Sequence, residues 1–308
     1  MKPEASSLAR FSLWQLLLNV VVILWGAYVR ASGSGAGCGK HWPLCNGQVI
    51  PRDPGVQTMV EFAHRVSSGG VLLLAVAGVI LATKKTRAGD VLRKTAWAVL
   101  LFTLAEAIVG AAIVLLEHTG VSLAERRGIS ITLHLVNTFA LLAALTVHNR
   151  ATVGRLPTGP RGPRSLVTAF VMLLVLFTGA SGAIAALGDT LFPVASLADG
   201  LRQDVSPAAH LFVRLRVFHP LFATLSLAAL LFAVPLLRRG LPDGLAAALT
   251  KGVPVLAAAQ YGLGLANLAL LAPIPLQLLH LFFADALWCA LVWLFAELAL
   301  AESRLQAS

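Results

Sequence analysis

Long apolar runs alternate with short polar stretches along the whole of this chain. Eight runs stand out, at about 12–29, 64–83, 96–116, 129–147, 166–187, 211–237, 253–272 and 277–300. None has the apolar–polar alternation of a half-buried strand, and most approach the ~20 residues a helix needs to cross hydrocarbon. A helix satisfies its own backbone donors and acceptors there, so each run predicts a transmembrane helix. The first, "FSLWQLLLNVVVILWGAYV", has no clear small-residue cleavage site and is expected to remain as a span.

Composition agrees. Of 308 residues, 57% are hydrophobic and 12% charged, about half the ~25% charge of an ordinary soluble domain. The expected fold is an all-α integral membrane protein, multi-pass in the cell (cytoplasmic) membrane. The net charge of +10 is not a nucleic-acid footprint, because the basic residues lie in short segments between apolar runs. With the N-terminus in the cytoplasm, 15 of the 24 Lys and Arg fall inside and 9 outside, which places both termini in the cytoplasm. In the outer set Arg30, Arg65, Arg214 and Arg216 cluster at helix ends, as an anionic ligand would require.

Two pairs of runs resemble one another. "LHLVNTFALLAAL" (133–145) matches "LHLFFADALWCAL" (279–291), and "FAHRVSSGGVLLLAVAGVIL" matches "VFHPLFATLSLAALLFAVPL". In each, a His opens the span. The eight transmembrane helices are therefore expected as two pseudo-repeated four-helix bundles. Residues 1–150 form the first half and 165–308 the second, joined by a cytoplasmic linker at 151–164. That linker lies within "NRATVGRLPTGPRGPR", rich in Pro, Gly and Arg.

His64, His134, His219 and His280 begin the second, fourth, sixth and eighth spans. In the orientation above, all four come within roughly two helical turns of the outer surface. One intramembrane His is often interhelical hydrogen-bonding glue. Four at one depth, two per repeat, suit two bis-imidazole haem sites instead, with arginines at the mouth to meet the propionates. Zinc usually takes ligands at short local spacing, with carboxylates or thiolates added. His41, His118, His148 and His210 are expected in solvated or interfacial roles.

"EFAHR" places Glu61 three residues before His64, on the same helical face. Glu61 is either a proton-transfer group or an interfacial ion pair with an arginine. The second half reads "RLRVFHP", with Arg216 rather than an acid three residues before His219. Glu106, Asp285 and Gln260 are further polar groups within spans. Gln260 falls near where Glu106 sits in the repeat, which points to a shared structural role, and Asp285 carries no assignment. The first outer loop, "GSGAGCGKHWPLCNG", holds Cys38 and Cys45 on the oxidising side, either as a redox pair or as a staple over the pocket. Cys289 reads as a small buried apolar residue.

These residues resemble the haem A synthases of the bacterial eight-helix type. The resemblance rests on "CGKHWPLCNG", on "EFAHR" and on the histidines opening helices 4, 6 and 8, and it covers nearly the whole chain. It implies oxidation of a methyl group of haem O to a formyl group, giving haem A for terminal oxidases. It implies that His64 and His134 ligate the substrate haem and that His219 and His280 ligate a resident haem b. Glu61 matches the family's catalytic carboxylate, and Cys38 and Cys45 its loop cysteine pair. Arg65, Arg214 and Arg216 are candidates for the propionates. The expected partners are membrane lipid, haem O delivered by a haem O synthase, an unspecified electron donor and another copy of the chain. Nucleic acid is not expected. The competing readings are a dihaem b-type, quinol-linked electron-transfer protein and a haem transporter or chaperone.

Overall fold

The computed structural model describes residues 3–154, 156, 162–238 and 243–305. The chain is a multi-pass membrane protein built from helices, and among the described residues no strand is present. Helices α1 (Pro3–Ala31), α2 (Val56–Lys85), α3 (Val91–Leu115), α4 (Glu125–Val153) and α5 (Pro163–Leu191) correspond to the first five apolar runs. Of the predicted linker at 151–164, residues 151–153 continue α4 and 163–164 begin α5, while 155 and 157–161 lie outside the described residues, as do Lys2 and Arg239 of the charge count.

The sixth run is broken. Helix α6 (Leu197–Asp204) lies in the loop before it, and the run itself divides into α7 (Leu211–Arg216) and α8 (Phe218–Leu237). Pro220 explains the break: it has no N–H to offer the carbonyl of Arg216, so the hydrogen-bond ladder fails at Val217, two residues before His219. Leu211–Leu237 still runs long enough to cross.

The seventh run differs from expectation. A short helix α9 (Asp243–Ala247) leads through a π-turn at Ala248–Gly252 into α10 (Val253–Ala269), which has 17 residues. At 1.5 Å per residue α10 covers about 26 Å, just short of a ~30 Å hydrocarbon core. Helix α11 (Ile274–Leu305) closes the chain. Among the described residues, seven helices are therefore long and apolar enough to cross a membrane, with α10 a shorter apolar helix beside them.

Large apolar side chains cover much of the surface, and polar ones are buried among the apolar core. Trp14, Leu73, Leu101 and Phe232 are exposed, whereas Ser12, Gln15, Asn19, Glu61, Thr103 and Asp285 are buried. Lipid accepts the apolar side chains, and the polar ones turn inward to find partners.

Contacts between α4 and α11 tie the early and late helices together. Trp288 stacks on Phe139 with ring centres 4.9 Å apart, and its indole N–H donates to the Phe139 carbonyl at 2.7 Å. Nearer the other end, Arg150 pairs with Glu297 at 2.5 Å. At the opposite end Arg30 on α1 donates to the Ala186 carbonyl and Thr190 hydroxyl of α5 and to Gln277 of α11. These bonds fix the helices around a central space.

Candidate functional site

That space is one cavity of about 1080 Å³, at the upper edge of the ~300–1,000 Å³ usual for ligand pockets. His64, His134, His219 and His280 all line it, together with Glu61 and Arg65. Residues separated by more than 200 positions thus meet at one site. His219 and His280 have ring centres 6.2 Å apart with planes at 85°. Two metal–imidazole bonds of about 2 Å, with about 1 Å from nitrogen to each ring centre, span about 6 Å. The spacing therefore fits a bis-imidazole metal site.

The sequence reading missed how the rings are seated. Each His faces a glycine on the preceding long helix. A Cβ on Gly26 would lie 2.9 Å from His64 Cε1, on Gly182 2.9 Å from His219 Cε1, on Gly264 3.1 Å from His280 Cε1, and on Gly110 4.0 Å from His134 Cε1. The first three are too close for an undisturbed side chain. A Gly inside an apolar helix signals close approach, but only the fold reveals to what. Buried Nδ1 atoms of His64, His134 and His280 lack hydrogen-bond partners among the described residues. Imidazoles seated in glycine cradles on an apolar cavity are what haem ligation needs, and the residues present fit the group. Among the described residues no three His, Cys, Asp or Glu side chains gather for a bare metal ion.

Glu61 is 4% exposed yet reaches the cavity. Its Oε2 accepts from the Cys38 N–H at 2.8 Å, and its Oε1 accepts from Arg65 Nη2 at 2.5 Å and Nε at 3.2 Å. The ion pair expected of an interfacial role is present, and so is the shared face with His64. Cys38 and Cys45 form a disulfide, and both are buried. Trp42 and Pro43, inside the closed loop, line the cavity. Arg65 also donates to the carbonyls of His41 and Leu44, so this loop, Glu61 and Arg65 form one hydrogen-bonded unit. If the disulfide only staples that unit, replacing both cysteines by Ser lowers thermal stability and activity together. If it exchanges electrons, the double variant loses turnover while keeping its haem and its melting temperature. Unchanged turnover and stability in a melting and activity assay would refute both roles.

The arginines divide differently from expectation. Arg216 lines the cavity, but its guanidinium donates to Asp204 at 2.5 Å, Asp189 at 3.1 Å and the Gly200 carbonyl at 3.2 Å. Arg65 is engaged as described. Arg214 is exposed and does not line the cavity. Arg127, which the sequence leaves among loop charges, is 3% exposed and lines the cavity, and its Nε has no partner among the described residues. Its Nη1 donates to the carbonyls of Gly120 and Ser122. No local pattern separates it from Arg126; the fold of the 116–124 loop does.

Two histidines differ from their expected solvated role. His148 is 1% exposed, because α4 continues to Val153 and carries it against Thr95 of α3, 2.9 Å away. His118 folds under onto Ser130 at 2.8 Å and lines the cavity. Asp285 is 1% exposed, lines the cavity and has no partner for either oxygen among the described residues.

Comparison with known proteins agrees with this geometry. Residues 9–292 match the family described as cytochrome oxidase assembly protein. A relative from Thermus thermophilus named protoheme IX farnesyltransferase is 43% identical over 294 residues, covering 95% of this chain and 48% of its own. A protein from Exiguobacterium sp. named heme A synthase is 39% identical over 142 residues, 46% of this chain and 45% of its own. Another heme A synthase, from Exiguobacterium sibiricum, is 33% identical over 179 residues, 56% and 58% respectively. The chain spans about half the length of the curated relatives it matches. With a match across nearly all its spans and a cavity whose histidines suit the chemistry, the chain belongs to the cytochrome oxidase assembly protein family, COX15-CtaA.

Proposed function

We propose that this chain is a haem A synthase that oxidises a methyl group of haem O to a formyl group. The observation that carries the reading is the pairing of four cradled histidines on one cavity, with an acid in "EFAHR" and an arginine at the matching place of the second pair. Haem chemistry supplies the oxidant for an unactivated methyl, which side chains cannot provide. His64 and His134 hold the substrate haem. His219 and His280 hold a resident haem b. Glu61, one turn from His64, moves protons at the reacting edge, and Arg65 and the cysteine loop keep it in place. Arg127 and Arg30, which line the cavity, are better placed for propionates than Arg214.

The glycine–histidine pairs support two repeated halves of four spans each. They join α1 to α2, α3 to α4, α5 to α8 and α10 to α11, the same step in each half. On this reading α9, the π-turn and α10 together make the seventh span, and α11 the eighth. The basic-residue count supports both termini in the cytoplasm.

The farnesyltransferase name of the Thermus relative favours a second reading, prenyl transfer to protohaem. More than half of that relative lies outside the match, and we place its prenyl transfer there. Haem extraction after expression in a host that makes only haem B tests the choice. With haem O supplied, haem A is expected beside haem b. Haem O formed without a supply would establish prenyl transfer instead. Haem b alone in both cultures would leave an electron carrier or haem chaperone.

A further inference from the structure

In the N-terminal half, a carboxylate stands beside one of the proposed iron ligands. Glu106 Oε1 lies 3.4 Å from His134 Nδ1. Its other contacts come from α4: Asn137 Nδ2 donates to Oε2 at 2.5 Å and Thr138 Oγ1 to Oε1 at 2.5 Å. The two atoms stand at ion-pair distance without a hydrogen bond as the ring lies; a carboxylate only accepts, so a small turn of the ring that closes the contact requires the proton on Nδ1. That leaves His134 Nε2 as the nitrogen free to ligate.

The position is not arbitrary. Glu106 stands four residues before Gly110, the glycine that faces His134. Four residues before Gly264, which faces His280, stands Gln260, with its amide nitrogen 3.3 Å from His280 Nε2. Four residues before Gly182 stands Thr178, whose backbone carbonyl lies 3.0 Å from His219 Nδ1. Four residues before Gly26 stands Val22, which has no side-chain polar group. That register on the neighbouring helix thus supplies a polar neighbour to three of the four rings, at Nδ1 of His134 and His219 and at Nε2 of His280, and only that of His134 is an acid. A partner to the second nitrogen fixes ring orientation and raises the basicity of the ligating one. A more basic axial ligand favours ferric over ferrous iron.

We propose that Glu106 is a positioning residue that orients His134 and gives the N-terminal haem site an anionic ligand partner, which the C-terminal site, with Gln260 in the matching place, lacks. This rests on the reading of His134 as an iron ligand. A purely structural Glu106 would act as interhelical glue between α3 and α4 and would leave the iron unaffected.

The test uses the full chain in detergent, loaded with haemin and titrated by spectroelectrochemistry. His134→Ala identifies the N-terminal component as the one lost or converted. Glu106→Gln, which keeps the shape and an acceptor oxygen, is expected to retain haemin and shift that component to higher potential, leaving the other unmoved. The reciprocal Gln260→Glu is expected to shift the C-terminal component to lower potential. Retained haemin with an unmoved potential in Glu106→Gln overturns the proposal. If Glu106→Gln does not load, Gln260→Glu decides, and an unmoved potential there overturns it equally. If His134→Ala leaves both components intact, the ligand reading itself falls, and the proposal with it.

Discussion

Replacing Glu61 by Gln is expected to slow haem A formation by ~10²–10⁴-fold, the usual cost of losing a proton-transfer group. Gln keeps one oxygen for the Cys38 N–H but loses the acceptor for Arg65; Arg65 still donates to the carbonyls of His41 and Leu44, so the loop over the cavity should stay closed. Haem content should remain near that of the parent, and unreacted haem O or a partly oxidised haem should accumulate. Arg65→Met separates the two meanings of the pair. It breaks the ion pair but leaves the carboxylate, so it should lower stability more than Glu61→Gln and rate less. Single-turnover conversion of haem O, followed by extracted-pigment analysis, measures both. Parent-rate haem A formation in Glu61→Gln would reduce Glu61 to an interfacial charge that anchors the disulfide loop.

If His219 and His280 hold a resident haem b as proposed, removing either is expected to abolish it, because each of the two rings, 6.2 Å apart, supplies one ligand. A more discriminating experiment leaves both rings in place and fills the cradle. Gly264→Val puts its Cβ 3.1 Å from His280 Cε1, so the ring must turn off its seat. Haem b affinity should fall on the order of 10–100-fold, as when the support of a metal ligand is lost. Gly262→Val, on the same helix with nothing within 4 Å of the added Cβ, is the control for helix propensity and should keep its haem. Pigment-to-protein ratios after dilution provide the measurement. Full haem in Gly264→Val, or equal losses in both glycine variants, would remove the cradle from the account.

Apolar periodicity and run length were enough to locate the spans, because hydrocarbon tolerates few alternatives to a helix. They failed where a local backbone rule intervened. Pro220 splits the sixth run beside His219, and the π-turn before Val253 leaves α10 short. The four histidines were legible because a His opening an apolar run is costly and therefore conspicuous. The cysteine pair was legible as a pair, and the bond between Cys38 and Cys45 joins them in the fold.

What each polar group touches is a matter of helix rotation and packing, which composition does not encode. The sequence allowed Glu61 an arginine partner, and only the fold selected Arg65 together with the Cys38 N–H. It placed Arg216 among the free cations, whereas Asp189 and Asp204 arrive from α5 and α6 to engage it. It passed over Arg127, Gly26, Gly182 and Gly264, whose roles exist only because a neighbouring helix approaches within 3–4 Å. The chain's residue types determined a helical membrane protein with four intramembrane histidines and a paired-cysteine loop. The tertiary structure decided that those histidines share one cavity, because ring-to-ring and ring-to-glycine distances are set by contacts between helices distant in sequence.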